Sequence, residues 1–488
     1  MAQGNPFVVL NNATTEFSRN SPHLDEPHAS NAERVAGAAL ALSDTPYPAA
    51  LPSNQATTRR TVSRRGVVWL GQTCNLHCDF CYFIDRVHTN SHPEHAFMPL
   101  EKAKEICRTL VETYGNSAVD IEGGEPTLYP HILELIAYCS QIGLYPTLIT
   151  NAIVLDDADR CRKMRDAGLR DLKISIHGLG EVHDHVVGRQ GAHKRQIKAI
   201  RNMRELGIPF RFNTVLTPGV LPQLPDIARL AVSTGALCVN WLGYNPHEDQ
   251  LGKAKRRNLI PNFTELRTTL TEALDILQAA NIETNVRYMP VCMVEPRHRE
   301  CIYDYQQLFY DHREWDLASW GWTTLPPQRN SAGAASDPVA VTSLALWVRL
   351  HRPMRWAASV PYVGPLLSIK RLVSHQATRR LLLQFQRLLT RISGSGFSSN
   401  RAALYNEVAR LHARFDCRME FDKSCHSCAA RYICSGILCD YHEVFGRGEV
   451  QPIPGPAFRD PLHFIRNQKK LVETEDEGWA LPVSDGGV

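Results

Sequence analysis

The stretch Gly143-Leu144-Tyr145-Pro146-Thr147-Leu148-Ile149-Thr150 decides the fold class. A helical pattern ends on glycine, which tolerates the left-handed position after a helix, and an apolar strand follows at once. The unit recurs along the chain. Gly168, Gly207, Gly235 and Asn281 close further helical patterns, followed by LKISI (172–176), FRFNTVL (210–216), LCVNWL (237–242) and TNVRYM (284–289). Upstream, Val67-Val68-Trp69-Leu70 reads as a first buried strand, and Val119-Asp120-Ile121 marks another after a helix at about 100–114. The helix before 284 is the clearest: Asn262 can cap it with Glu265 at N3, while Phe263, Leu266, Leu270, Leu274 and Leu277 share one face.

Strands that alternate with helices predict parallel βαβ units. Six strands fall between 67 and 242, with a seventh segment at 284–289, short of the eight of a closed barrel. The expected class is α/β, a partial (β/α)6 barrel with a small Cys-rich C-terminal extension. A doubly wound sheet is the alternative. Either arrangement puts function at the C-terminal ends of the strands.

Composition narrows the function classes. The 488 residues carry 54 Lys+Arg against 50 Asp+Glu, a net charge of +4, with 43% hydrophobic residues. That is an ordinary globular balance, and it gives no overall footprint of a nucleic-acid protein. No apolar run reaches the length of a membrane span, and the start of the chain lacks the pattern of a secretory signal. Fourteen Cys in such a chain point to a reducing, cytoplasmic setting and to metal or redox chemistry rather than a disulfide framework.

Residues 1–60, rich in Asn, Ser, Thr, Pro and Ala, form a flexible extension. The barrel occupies 61–292, a linker on the substrate side 293–337, a basic helical insertion 338–416, a Cys-rich domain 417–455 and a tail 456–488. The insertion has ten Arg or Lys from Arg349 to Arg401 and no acidic residue between Asp337 and Glu407. It is expected to meet an anionic substrate or a membrane surface, or to be a solvated helical cover. The segment Tyr310–Asp316, dense in acids and aromatics, is either a pocket wall or a surface loop.

Cys74, Cys78 and Cys81 follow directly on the first strand. Three thiolates on one loop suit zinc or an iron–sulfur cluster, and no fourth Cys stands near to close a structural zinc site. Gly123-Gly124-Glu125-Pro126 follows the second strand, where two glycines let backbone approach a ligand closely. Asn151, Ser175 and Asn213 are polar residues at or near later strand ends, where each must find a partner.

The Cys-x3-Cys-x2-Cys spacing, with Phe80 before the last Cys, together with the GGEP element, resembles the radical S-adenosylmethionine (SAM) superfamily over about 66–292. The resemblance implies a partial radical SAM barrel whose cofactors are a [4Fe–4S] cluster on Cys74, Cys78 and Cys81, and SAM. It implies that Gly123, Gly124, Glu125 and Pro126 meet the methionyl amino group and that Phe80 lies against the adenine. Ser175 would touch the ribose, Asn213 the carboxylate or ribose, and Asn151 would also line the cofactor. It further implies an external one-electron donor of flavodoxin or ferredoxin type.

Cys425-x2-Cys428-x5-Cys434, flanked by Cys417 and Cys439, is similar to the SPASM or twitch extensions of that superfamily. The full SPASM set is incomplete, so one auxiliary [4Fe–4S] cluster is expected, on Cys425, Cys428, Cys434 and either Cys292 or Cys417. Cys292, at the end of the RYMPVC strand, is preferred, because the resemblance to twitch-type enzymes implies that a Cys shortly after the barrel completes the cluster. A four-cysteine zinc site is the structural alternative. The expected substrate is a small metabolite such as an activated sugar or aminocyclitol, with a ribosomally made peptide as the alternative. An RNA-modifying role ranks low, and a zinc-bound scaffold is the alternative of another class.

Overall fold

The computed structural model describes residues 65–81, 96–112, 116–244, 257–304, 418–460, 463–465 and 468. The basic stretch 338–406, the Tyr310–Asp316 segment and Cys417 lie outside them.

Eight parallel strands form one sheet in the order β1-β2-β3-β4-β5-β6-β7-β8. They are β1 (Arg65–Trp69), β2 (Ala118–Glu122), β3 (Tyr145–Thr150), β4 (Asp171–Ser175), β5 (Phe210–Leu216), β6 (Cys238–Gly243), β7 (Glu283–Arg287) and β8 (Ile302–Tyr303). The main helices between them are α1 (Leu100–Glu112), α2 (Ile132–Gln141), α3 (Ala158–Asp166), α4 (Glu181–Val186), α5 (Ala192–Glu205), α6 (Leu224–Thr234) and α7 (Phe263–Ala279). The sequential strand order excludes the doubly wound alternative, whose order must reverse at a switch point. With right-handed crossovers, a sequential order puts the helices on one face, so the sheet curls as part of a barrel. The strand β8 went unseen in the sequence because two residues carry no period.

Burial shows the two faces. Along β5, Phe210, Phe212, Thr214 and Leu216 are buried, while Arg211, Asn213 and Val215 are half-buried. The buried side joins a continuous core with α5, α6 and α7 through Ile200, Met203, Ile227, Leu270 and Leu274. The opposite, concave face carries Asp120, Lys173, Arg211, Asn213, Asn240 and Asn285, by the strict alternation of a pleated strand. Deep in that face Lys173 Nζ lies 2.5 Å from Asp120 Oδ2, and Arg211 Nη2 lies 3.0 Å from Asp171 Oδ2.

Local signals set the boundaries. Gly235 (φ 72°) follows α6 and Asn281 (φ 56°) follows α7, both in the left-handed region. Tyr288 (φ 62°) follows β7 directly, in a conformation that nothing in RYMPVC announces. Asn262 caps α7, accepting from Thr264 N at 2.9 Å and Glu265 N at 3.1 Å.

The C-terminal segment contributes the two-residue strands β9 (Met419–Glu420) and β10 (Ile437–Leu438), which pair antiparallel, and α8 (Cys439–Phe445). It packs on α7: the Phe263 and Tyr441 rings stack at 4.0 Å, and Asn262 Nδ2 donates to Glu449 Oε1 at 2.7 Å. Asn262 therefore serves both the helix end and the C-terminal segment. Asn262→Ala is expected to destabilise the protein by about 1 to 2 kcal/mol, the upper half of the usual range for a cap. A lower urea midpoint at unchanged slope would show it, and an unchanged midpoint would contradict it.

Candidate active site

The loop after β1 carries Cys74, Cys78 and Cys81, all half-buried and none in a disulfide. Backbone contacts fix its course. His77 N donates to Val187 O at 3.0 Å and Asp79 N to Val186 O at 3.2 Å, while Arg189 Nη1 donates to Asn75 O at 3.0 Å. A Cβ on Gly188 would stand 2.9 Å from His77 O, so this approach needs glycine there. Leu76 packs with Ile153, Val187 and Ala192 beneath Cys74 and Cys78.

The GGEP loop docks on the same segment. Gly124 N donates to Gly71 O and Glu125 N to Thr73 O, both at 2.8 Å. A Cβ on Gly123 would meet Gly71 O at 2.6 Å, and one on Gly124 would meet Thr73 O at 2.4 Å. The glycines thus let two loops of the protein approach each other.

Glu125 is buried, and its carboxylate gathers donors from two strand ends. Oε1 accepts from Thr127 N at 3.0 Å, from the Thr127 hydroxyl, and from Thr150 Oγ1 at 2.5 Å, while Oε2 accepts from Asn151 N at 2.8 Å. Burial holds its pKa above the usual carboxyl value, against the lowering pull of these bonds. Asn151 Nδ2 then donates to Asn75 Oδ1 at 2.7 Å, so the third loop closes back on the Cys loop.

Burial and neighbouring charge both act on these thiols. Burial first, then the charges of Glu125 and Cys81, push the Cys74 thiol up to about 12. Burial, Cys81 and Cys74 push Cys78 up in the same direction. Such thiols hold their protons until a metal replaces them, since a coordinated thiol is deprotonated.

Ser175 and Asn213 sit side by side as register partners on β4 and β5. Gln196 Nε2 reaches in from α5 to bond Asn151 O at 3.0 Å and Ser175 O at 2.8 Å. Phe80 lies edge-on to His177, with ring centroids 4.4 Å apart. Pro126 starts a short 3-10 turn below Glu125. The structure therefore brings Phe80, Gly123, Gly124, Glu125, Pro126, Asn151 and Ser175 to the strand ends and loops beside the first strand, with Asn213 inside β5 level with Ser175.

A second thiol set, Cys292, Cys425, Cys428 and Cys434, lines one small cavity that opens to solvent. Cys292 is pushed up to about 11 by burial and then by Cys428 and Cys425, and Cys434 is raised by burial, Asp304 and Cys292. Ser435 N donates to Asp304 Oδ2 at 2.7 Å, so the residue after β8 holds the Cys434 turn. Ile453 N donates to Cys428 Sγ at 3.3 Å. Cys439, by contrast, is buried and bonds Asp440, away from the cavity lining. Among the described residues, no three His, Cys, Asp or Glu are gathered tightly enough to hold a single metal ion. Sequence reasoning missed Gln196, Arg189 and Asp304, because each matters only through a partner far along the chain.

Residues 70–231 match the Radical SAM superfamily. They form a radical SAM domain. The cofactors that go with such a domain are a [4Fe–4S] cluster and SAM, and the donor set fits: three neighbouring thiols on one anchored loop, of the soft type that iron–sulfur clusters require. The domain is 32% identical over 167 residues to a PqqA peptide cyclase of Bradyrhizobium diazoefficiens, covering 33% of this chain and 42% of that protein. It is 30% identical over 174 residues to an AdoMet-dependent heme synthase of Oleidesulfovibrio alaskensis, covering 35% and 43%. The chain thus spans about two fifths of the length of these relatives. Among solved structures, Streptococcus suis SuiB bound to precursor peptide SuiA aligns with a TM-score of 0.38 at 18% identity, over 55% of this chain and 56% of that one. No helix among the described residues is long and apolar enough to cross a membrane.

Glu125→Gln places an NH2 group among four donors. At least one backbone or hydroxyl donor then faces no acceptor, at a cost of about 1 to 3 kcal/mol. The variant is expected to unfold at lower urea and to retain less iron after reconstitution. Wild-type values for both would show that the carboxylate does not tie these loops.

Proposed function

We propose that the protein is a radical SAM enzyme that modifies a peptide. The observation that carries this reading is the convergence of Cys74, Cys78 and Cys81 with the GGEP loop at the strand ends of a radical SAM domain. When bound, the cluster and SAM supply a 5′-deoxyadenosyl radical that removes a hydrogen which no acid or base in the protein could take.

The chain's own residues hold, orient and shield. Cys74, Cys78 and Cys81 are the three protein ligands of the cluster, which leaves one iron for SAM. Glu125 Oε2, with one protein donor against the three on Oε1, is the oxygen that meets the methionyl amino group. Phe80 lies against the adenine, and Ser175 and Asn213 face the ribose and carboxylate. Cys292, Cys425, Cys428 and Cys434 hold an auxiliary [4Fe–4S] cluster in the second cavity, with Cys292 as the ligand from the barrel side.

Similarity to a protein named as a peptide cyclase supports a peptide over the small metabolite that the sequence reading put first.

Two measurements test the proposal. Replacing Cys74, Cys78 and Cys81 together by Ala should abolish reductive formation of 5′-deoxyadenosine and lower iron from about eight to about four per chain, as expected for two four-iron clusters. A triple variant that still makes 5′-deoxyadenosine overturns the first assignment, and one that holds zinc without iron makes the second set structural. For the substrate, any short peptide encoded beside this gene is co-expressed with the enzyme and weighed by mass spectrometry. A mass loss in multiples of two hydrogens supports a peptide oxidation, and an unmodified peptide returns the small-metabolite reading.

A further inference from the structure

From the hydrogen-bond directions across β5, β6 and β7 we infer that a one-way relay of side-chain amides fixes Asn213 as a donor to an oxygen of SAM, with Asn240 and Asn285 as positioning residues. Asn213, Asn240 and Asn285 are register partners on adjacent strands, so their amides stand in one row on the concave face. Asn240 Nδ2 donates to Asn213 Oδ1 at 2.8 Å, and Asn285 Nδ2 donates to Asn240 Oδ1 at 3.2 Å. Gln468 Nε2 donates to Asn285 Oδ1 at 3.2 Å, and its own Oε1 accepts from the Tyr303 hydroxyl.

An amide alone can be turned over, so a row of amides has a direction only if something outside it sets one. Two acceptor-only groups do so here. Asn285 Nδ2 also donates to the Glu283 carboxylate at 2.9 Å, and Gln468 Nε2 also donates to the Thr284 carbonyl at 2.9 Å. Neither a carboxylate nor a carbonyl can donate in return. With the far end fixed, each amide must point its NH2 toward β5. Asn213 closes the row by accepting through Oδ1. Its NH2 group donates to no acceptor among the described residues, and the side chain is half-buried beside Ser175. A half-buried NH2 group with no protein acceptor stands open to an oxygen of a ligand.

The inference rests on the reading that Asn213 contacts SAM, and the test separates the two. Binding of labelled SAM to the reconstituted full-length protein is measured by equilibrium dialysis, with iron content and circular dichroism as checks on folding. Asn240→Asp puts an acceptor where Asn213 Oδ1 needs a donor, so the Asn213 amide turns and offers its oxygen to SAM. The expected loss of affinity is about ten- to a hundredfold. Asn240→Ala only releases the amide and should lose less, and it carries the test if the Asp variant loses iron. Asn213→Ala should lose as much as Asn240→Asp, and the double variant no more than Asn213→Ala, because the two act through one contact. Weakened binding in Asn213→Ala with unchanged binding in both Asn240 variants overturns the relay and leaves the SAM contact standing. Unchanged binding in Asn213→Ala overturns the contact itself. Additive losses in the double variant overturn the relay as well.

Discussion

One buried carboxylate ties together the loops that follow β1, β2 and β3. Glu125 takes donors from Thr127, Thr150 and Asn151, and Asn151 passes the connection on to Asn75 beside Cys74. A carboxylate that has left water must be satisfied by donors, or it costs several kcal/mol. Here the donors come from separate strand ends, so satisfying the charge and fixing the relative positions of the loops are one event. The thiols inherit that order, because their loop is bonded at Gly71, Thr73 and Asn75 to the same assembly.

Close backbone approach is the second half of the arrangement. Gly123, Gly124 and Gly188 all stand where a Cβ would strike the backbone of the Cys loop. A backbone obstacle cannot rotate aside as a side chain can, so these positions exclude other residues more strictly than a turn would. The loop is gripped on both sides, by GGEP after β2 and by Val186–Gly188 after α4. A cluster bound to a loosely held loop would wander relative to SAM, and rigid support from elements behind the site is what a reactive centre needs.

The two thiol sets are placed by different means. The first depends on one loop and its neighbours. The second joins the chain just after β7 to a segment more than a hundred residues later, with Asp304 at the end of β8 holding the Cys434 turn. The C-terminal segment reaches that position by packing Tyr441 on Phe263 and bonding Glu449 to Asn262, so the cap of α7 and the second cavity are parts of one structure. Gln468, further on, bonds Thr284 and Asn285 and so also bears on the concave face.

What the sequence determined by itself was everything encoded over a few residues. Helix ends at Gly235 and Asn281, the cap at Asn262, the alternation along 210–216 and the spacing of Cys74, Cys78 and Cys81 were legible, because propensity, periodicity and loop reach act locally. So was the parallel α/β class, which follows from the recurrence of one local unit. Tertiary structure alone decided the rest. The strand order that separates a partial barrel from a doubly wound sheet depends on which strands pair, and β8 is too short to show a period. That the GGEP glycines meet the Cys loop depends on a contact made across some fifty residues of chain. The gathering of Cys292 with Cys425, Cys428 and Cys434, and the direction of the amide row through Asn213, arise from partners distant in sequence. Burial and hydrogen bonding select such partners only once the chain has folded, and no short pattern records the choice.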